Sequence, residues 1–417
     1  MQLLGLLLAV LVQTQDKAPA PIALKGAKVY PGSGPALEGA VILLENGRIT
    51  AVGKDVPIPP TAQVVDLTGK VVIPGLIDAA SRLFLRVDGD RSPGSAEQRV
   101  LDGFDLHSTD VEEAREQGVT TVYVGPVSGG PVNGLGAVVH LDARREILQK
   151  EAALKLTLGA SGTDTSSAFE RYQSYPPLRQ LFEGAKQYGE AAEKYRRDLA
   201  EAEQARKDKK PDVKDPTKPK VDARQEVVVR CLDPKQPLTV RIEAHTADSL
   251  KLALRLIEEF KLKAVLEYAT EGATVAEAIS KAKVPVVSGP IFRLSPYSAD
   301  YLNHTPACAA LLVKAGASVA LGSFGDERAG QQGPGGSRFL LESAAYAAAW
   351  GLTREQALDA VTIEAARILG IEKTHGSIEK GKVADLVVLS GEPFEAATRV
   401  ERTLIQGETL HPGRKPR

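Results

Sequence analysis

The residues that could do chemistry in this sequence cluster at the ends of short apolar runs. Glu243 and His245 stand two apart at the end of the run 238–245. Residues two apart on an extended strand point to the same side, so a carboxylate and an imidazole share one face. Asp78, Ala80 and Arg82 share a face in the same way at the end of 76–82. Glu267 and Tyr268 close the run 264–268, and Ser323-Phe324 follows the run 318–322. Asp326 lies two residues past Phe324, about 7 Å further along an extended chain. An imidazole can move a proton or bind a metal. Alanine has no lone pair, and an arginine keeps its proton and cannot coordinate a cation. His245 therefore has two readings, a metal ligand or a hydrogen-bonded imidazole.

Other catalytic templates are missing. The sequence holds no Gly-x-Ser-x-Gly elbow and no His-Glu-x-x-His pair. The glycine-rich tracts 125–130 and 330–336 lack a Walker lysine and read as loops over a site rather than a phosphate cradle. His107, His140, His304, His375 and His411 read as surface or capping residues. Cys231 and Cys308 make no metal or redox spacing, and read as two buried thiols or a single disulfide.

The elements that must position these groups fall into three sets. Residues 22–73 are all strand by pattern, with Asn46-Gly47 supplying the two left-handed residues of a type I′ hairpin turn. These strands are too few to close a sandwich alone. Partners appear at the other end, in residues 376–389 and 403–405. Between them strands and helices alternate, which argues a parallel sheet with crossover helices and most simply a (β/α)₈ barrel. Thr353 with Gln356 forms a capping box for a helix running to Leu369. An insertion at about 178–225 has a charged helical part and then a tract, 207–220, with three prolines and almost nothing to bury. That tract reads as a mobile surface linker.

Composition sets broad limits. With 417 residues the chain can bury a large core, and two domains are the natural division. A formal charge of -1 gives no electrostatic case for nucleic acid or an anionic membrane, and the lysines of the linker are interleaved with acids. Residues 3–12 are apolar, too short to span a bilayer but suited to the hydrophobic part of a signal peptide ending near residue 21. No other run is long enough to cross a membrane, and export to the periplasm or outside the cell is expected.

The stretch Val71-Val72-Ile73-Pro74-Gly75-Leu76-Ile77-Asp78 joins these parts: one strand ends at Pro74, the chain bends, and a buried strand opens at Asp78. It resembles the barrel opening of the amidohydrolase superfamily, in its imidazolonepropionase-like secreted branch. Gly376-Ser377-Ile378 through Ala384-Asp385-Leu386-Val387 resembles that family's C-terminal motif. The resemblance implies a TIM-like (β/α)₈ barrel over 74–375 and a small β-sandwich domain built from 22–73 and 376–410. It also implies metal-dependent hydrolysis of non-peptide C–N bonds. The implied ligands are two histidines on strand 1, a carboxylated lysine or glutamate on strand 4, one histidine each on strands 5 and 6, and an aspartate on strand 8. Here the strand-1 positions are Ala80 and Arg82, strand 6 carries Tyr268, strand 8 carries Phe324, and His245 alone matches. The strand-4 residue is not legible.

The reading that follows is a degenerate, metal-free member with a binding or scaffold role. Arg82, Glu243, Tyr268 and Phe324 line its barrel mouth. Arg82 is expected near the vacated metal position, paired with Glu243, Glu267 or Asp326. The alternative is a hydrolase using zinc or another divalent metal at an altered site around His245 and Asp326. A small-molecule ligand and a homo-oligomer both stay open. The leader itself is testable: N-terminal sequencing of the native protein should find the mature chain starting between residues 13 and 20, and an intact Met1 would contradict export by cleavage.

Overall fold

The computed structural model describes residues 20–85, 94–105, 108–159, 168–211, 213–291, 303–325 and 336–411. The expected leader, His107 and Asp326 lie outside the described residues. Two eight-stranded sheets carry the fold. The first is the barrel sheet, whose strands are numbered here in chain order. They are β1 Leu76–Ser81, β2 Val119–Val124, β3 Val132–His140, β4 Ile147–Leu158, β5 Thr239–Ala244, β6 Ala264–Tyr268, β7 Val286–Ser288 and β8 Val319–Leu321. Spatial order follows chain order from β1 to β8. The Phe324 N–H donates to the Ala80 carbonyl at 2.6 Å and brings the end of β8 back to β1.

The strict alternation of strand and helix fails at one place. β3 runs antiparallel to both β2 and β4, while the remaining neighbours are parallel. Only residues 125–131 separate β2 from β3, and 141–146 separate β3 from β4. A parallel crossover needs a dozen residues or more, so these short links allow only hairpins. The barrel is TIM-like with one inverted strand.

Most helices follow their local signals. Thr246 caps Ala247–Phe260, its hydroxyl accepting the Ser249 N–H at 3.2 Å. The capping box at Thr353 forms as expected, with Gln356 N–H on the Thr353 hydroxyl at 3.2 Å and the Thr353 N–H on the Gln356 carbonyl oxygen at 2.9 Å. The helix it starts stops at Ala360, and a second one covers Ile363–Leu369. The reason lies in the barrel: the Val361 carbonyl accepts the Ile77 N–H of β1 at 2.8 Å. A peptide group aimed at a strand cannot also serve a helix ladder.

The second sheet contains strands from both chain ends in the order 408–411, 400–405, 386–389, 71–74, 22–29, 37–45, 48–53, with 63–66 also pairing 22–29. The expected sandwich is therefore one continuous sheet around its own core, which includes Leu24, Ile42, Ile49, Leu386 and Leu404. A bridge between Arg48 and Val383 ties its far edge back. Asn46 and Gly47 take φ of 50° and 74°, as a type I′ turn requires.

The two sheets meet at the Pro74-Gly75 bend. The Gly75 N–H donates to the Asp385 carbonyl at 2.8 Å, and a Cβ on Gly75 would lie 2.4 Å from the Thr120 hydroxyl. Only glycine fits there. Cys231 and Cys308 are free, buried thiols, and burial pushes their pKa values up to about 12 and about 11.

The insertion contains the long helix Ala168–Lys207, docked by Leu178, Phe182 and Ala185. After it, residues 208–211 and 213–222 are exposed or half-buried until Asp222 caps Ala223–Cys231. Limited trypsin digestion should therefore cut first within 207–220, with the flanking fragments staying associated in gel filtration. Early release of a fragment ending near Pro74 would contradict the shared second sheet.

Candidate active site

Glu243 and Glu267 are in register on β5 and β6, so two carboxylates stand side by side inside the barrel. Both are buried. Like charges opposed across a ladder repel, and burial removes the water that would screen them. Two cations answer them from inside. Lys155 on β4 places its Nζ 2.9 Å from Glu243 Oε2 and 3.3 Å from Glu267 Oε2. Arg241 on β5 donates from Nε to Glu267 Oε1 at 2.6 Å and from a terminal nitrogen to the Ala79 carbonyl at 2.7 Å. Its guanidinium lies 3.8 Å from the Tyr123 ring centroid, a cation–π contact that fixes the plane.

The electrostatic outcome follows from these contacts. Burial acts to raise the Glu243 pKa, but the Lys155 charge, the hydrogen bond and charge of His245, and the Ser128 hydroxyl together hold it far below the carboxylate range. Burial likewise acts to raise Glu267, and Lys155 and Arg241 overcome both that and the Glu243 charge to leave it lowered. Both acids are anionic at neutral pH. The four charges balance.

An aromatic layer covers this network. The Tyr268 ring stacks on Phe324 at 3.9 Å between centroids and meets the His245 ring at 4.5 Å with the two planes tilted by 38°. The Lys155 ammonium lies 5.9 Å from the Tyr268 centroid on the inner side. Tyr268 and Phe324 have φ of 66° and 56°, the left-handed region that costs a non-glycine residue about 1–2 kcal/mol. His245 Nδ1 is hydrogen-bonded to the Thr270 hydroxyl at 2.8 Å, and its Nε2 is 3.7 Å from Glu243.

The sequence-derived site residues thus divide. Glu243, His245, Tyr268 and Phe324 come together at the C-terminal ends of the strands, where barrel enzymes place their reacting groups. Arg82 is buried, but its stem lies against Gly325: a Cβ there would fall 2.8 Å from Arg82 Cβ. The expected pairing of Arg82 with Glu243 or Glu267 is replaced, because Lys155 and Arg241 reach those carboxylates from β4 and β5. Its pairing with Asp326 falls outside the described residues. Asp78 is fully buried, accepting from Ala80 N–H at 3.1 Å, Ser323 N–H at 3.0 Å and Ser337 Oγ at 2.7 Å, and it ties β1 to the end of β8. Burial raises its pKa despite those bonds.

Lys155 and Arg241 are the residues the sequence reading missed. A signal was present: in 153–158, Leu154, Leu156 and Leu158 alternate with Ala153, Lys155 and Thr157. That period-2 pattern marks a strand with one polar face.

A divalent metal at this mouth can be tested against the donor set. Ala80 and Arg82 offer no lone pair for one, and Tyr268 and Phe324 stand where two further ligands would be needed. The Lys155 ammonium already lies between the two carboxylates. Lys155 stands on β4, the strand from which the resemblance implies a carboxylated lysine or glutamate; as a free ammonium it donates nothing to a cation, which leaves His245 alone among the implied ligand positions.

Removing one cation should expose the dependence. Lys155→Met removes the cation shared by both carboxylates while Arg241 stays on Glu267, so it strands Glu243 above all and should cost about 3–5 kcal/mol at pH 7 in urea denaturation. In the wild type both pKa values are depressed, so that stabilisation is complete above the unfolded carboxylate value, about 4.3, and fades as pH falls through the folded values. In the variant Glu243 loses its largest opposing charge and burial pushes it up relative to the wild type, so the gap between the two proteins should narrow on acidification. A cost below about 1 kcal/mol, or a gap independent of pH, would refute the network's role.

With the geometry established, three comparisons bear on kinship. Residues 304–411 match the model of the Amidohydrolase family. The imidazolonepropionase of Acinetobacter baumannii is 28% identical over 389 residues, covering 84% of this chain and 87% of that protein. The crystal structure of an amidohydrolase from Thermotoga maritima superposes with a TM-score of 0.77 at 31% identity, over 94% of this chain and all of that one. A prolidase complexed with N-methylphosphonate-L-proline shares the fold at a TM-score of 0.55 and 17% identity, over 94% of this chain and all of that one. Near-complete coverage at that first structural identity, joined to the family match, decides the matter: the chain belongs to the amidohydrolase superfamily.

Proposed function

We propose that this chain is an exported, non-hydrolytic member of its superfamily that binds a small molecule at the barrel mouth without a metal there. The observation that carries this reading is the Lys155 ammonium between Glu243 and Glu267, at 2.9 and 3.3 Å. In a metal-dependent hydrolase a divalent cation lowers the pKa of a bound water and makes it a nucleophile. An ammonium has no vacant coordination position and activates no water. It supplies the charge balance and not the chemistry.

The layer above the network supports binding. Tyr268 and Phe324 present stacked rings, and His245 offers a partly exposed imidazole beside them. Both rings are buried, so the imidazole is the group a small ligand with a hydrogen-bonding function would meet there. The strained backbone at both rings indicates that their positions are over-determined by the surrounding structure.

The test compares metal content at the mouth. Full-length protein and His245→Gln, each equilibrated with excess zinc and desalted, should carry the same zinc per chain. Neither should hydrolyse cyclic amides or N-acyl amino acids above a protein-free control. Zinc lost in His245→Gln, or turnover abolished by that substitution, would overturn the proposal in favour of an altered hydrolase site.

A further inference from the structure

His140 and His375 are not surface residues, as their sequence context suggested. Both are buried, at 1% and 6% exposure, and they meet Asp385 at the seam between the two sheets. His140 ends β3 at the N-terminal face of the barrel, opposite the mouth. Asp385 immediately precedes the strand 386–389 that pairs with 71–74, and His375 sits in the link before it. One ligating atom from each of the three lies within 4.8 Å of the others. The imidazoles pack edge to face, with centroids 5.2 Å apart.

The hydrogen bonding of the two rings is half complete. His140 Nε2 is 2.8 Å from Asp385 Oδ2, and His375 Nδ1 is 2.8 Å from the Thr374 hydroxyl. The other nitrogen of each, His140 Nδ1 and His375 Nε2, is buried with no partner among the described residues. Buried imidazole nitrogens rarely stay without a partner. His375, held on Nδ1 by the Thr374 hydroxyl with Nε2 unpartnered, has the arrangement that orients a histidine ligand on a metal, and His140 Nε2 and Asp385 Oδ2, 2.8 Å apart, are close enough to share one ion with it.

We propose that His140, His375 and Asp385 form a binding site for one divalent transition metal of zinc's class, which staples the composite sheet to the floor of the barrel. Two imidazoles and a carboxylate are the donors that such an ion selects over magnesium or calcium, which take oxygen ligands. Three protein ligands leave a fourth position for water. His140 also lies within the same range of Asp142 and Glu146. That set is the weaker one: Asp142 Oδ1 already accepts the Glu146 N–H at 2.8 Å, and Glu146 is exposed. The site stands independently of the reading of the mouth, since it shares no residue with it.

The ligands come from positions far apart in sequence, 140 against 375 and 385. Metal binding therefore requires the folded seam, and its free energy adds to folding. The experiment uses the full-length protein, stripped with a chelator and titrated with zinc alone. One zinc should bind per chain, and saturating zinc should raise the thermal midpoint. His375→Gln leaves the His140–Asp385 bond intact and so should still fold, but should weaken zinc binding at least tenfold and abolish the thermal shift. His140→Gln should do the same where it folds. His245→Gln should bind as the wild type does, which separates this site from any metal at the mouth. No zinc binding by the wild type, as a buried water at these nitrogens would give, overturns the proposal. So does zinc binding that His375→Gln leaves unchanged.

Discussion

Glu243 and Glu267 occupy equivalent places on neighbouring strands, and the barrel cannot bury that pair without an internal answer to its charge. Lys155 and Arg241 supply it from β4 and β5, at 2.9 and 3.3 Å for the first and 2.6 Å for the second. The four groups balance, so the barrel centre carries no net charge that solvent would have to stabilise. A buried pair of this kind is costly to assemble and costlier to break, since removing one partner leaves the other uncompensated. The surrounding interior is apolar, with Ile77, Ala79, Val265, Val287 and Ala320 in contact around the network. Low polarity strengthens each bond in the network and fixes the register of β4, β5 and β6 relative to one another.

The same logic of shared partners holds the two sheets together. Asp385 serves three elements: its carbonyl takes the Gly75 N–H, one carboxylate oxygen takes the Gln406 N–H at 3.0 Å, and the other meets His140 at 2.8 Å. Gly118 has φ of 90° and approaches Val387 so closely that a Cβ would lie 2.9 Å from its Cγ2. Thr403 reaches the Arg115 carbonyl at 2.7 Å. The motif Ala384-Asp385-Leu386-Val387 is thus a structural joint: Ala384 and Leu386 fill the core of the composite sheet, while Val387 and the acid face the barrel.

Legibility tracked whether the determining contact was local. The Asn46-Gly47 turn, the capping box at Thr353 and the Pro74-Gly75 bend are set by residues adjacent in sequence, and each formed where its residues stand. The inverted β3 depends on link lengths that carry no composition signal of their own. The helix break after Ala360 depends on a β1 peptide nearly 300 residues away. Lys155 was missed because a lysine in a strand looks like a solvated face until three other buried charges are known. His140 and His375 were misread for the same reason: burial of a polar residue is a property of what lies across from it. Glu243, His245, Tyr268 and Phe324 stand together because those positions lie on strand ends that the fold itself dictates.

Tyr268 and Phe324 show what fixes the backbone at the mouth. Both occupy left-handed backbone positions at which bulky side chains are disfavoured. Such conformations persist only where neighbouring structure imposes them. Here the constraints are visible: the Ala269 N–H donates to the Ala244 carbonyl at 3.1 Å, and the Phe324 N–H to the Ala80 carbonyl at 2.6 Å. The backbone at the strand ends is therefore fixed by strand-to-strand bonds that do not involve the side chains. The scaffold can then accept aromatic rings at ligand positions, provided the charges beneath are balanced, and Lys155 and Arg241 meet that condition.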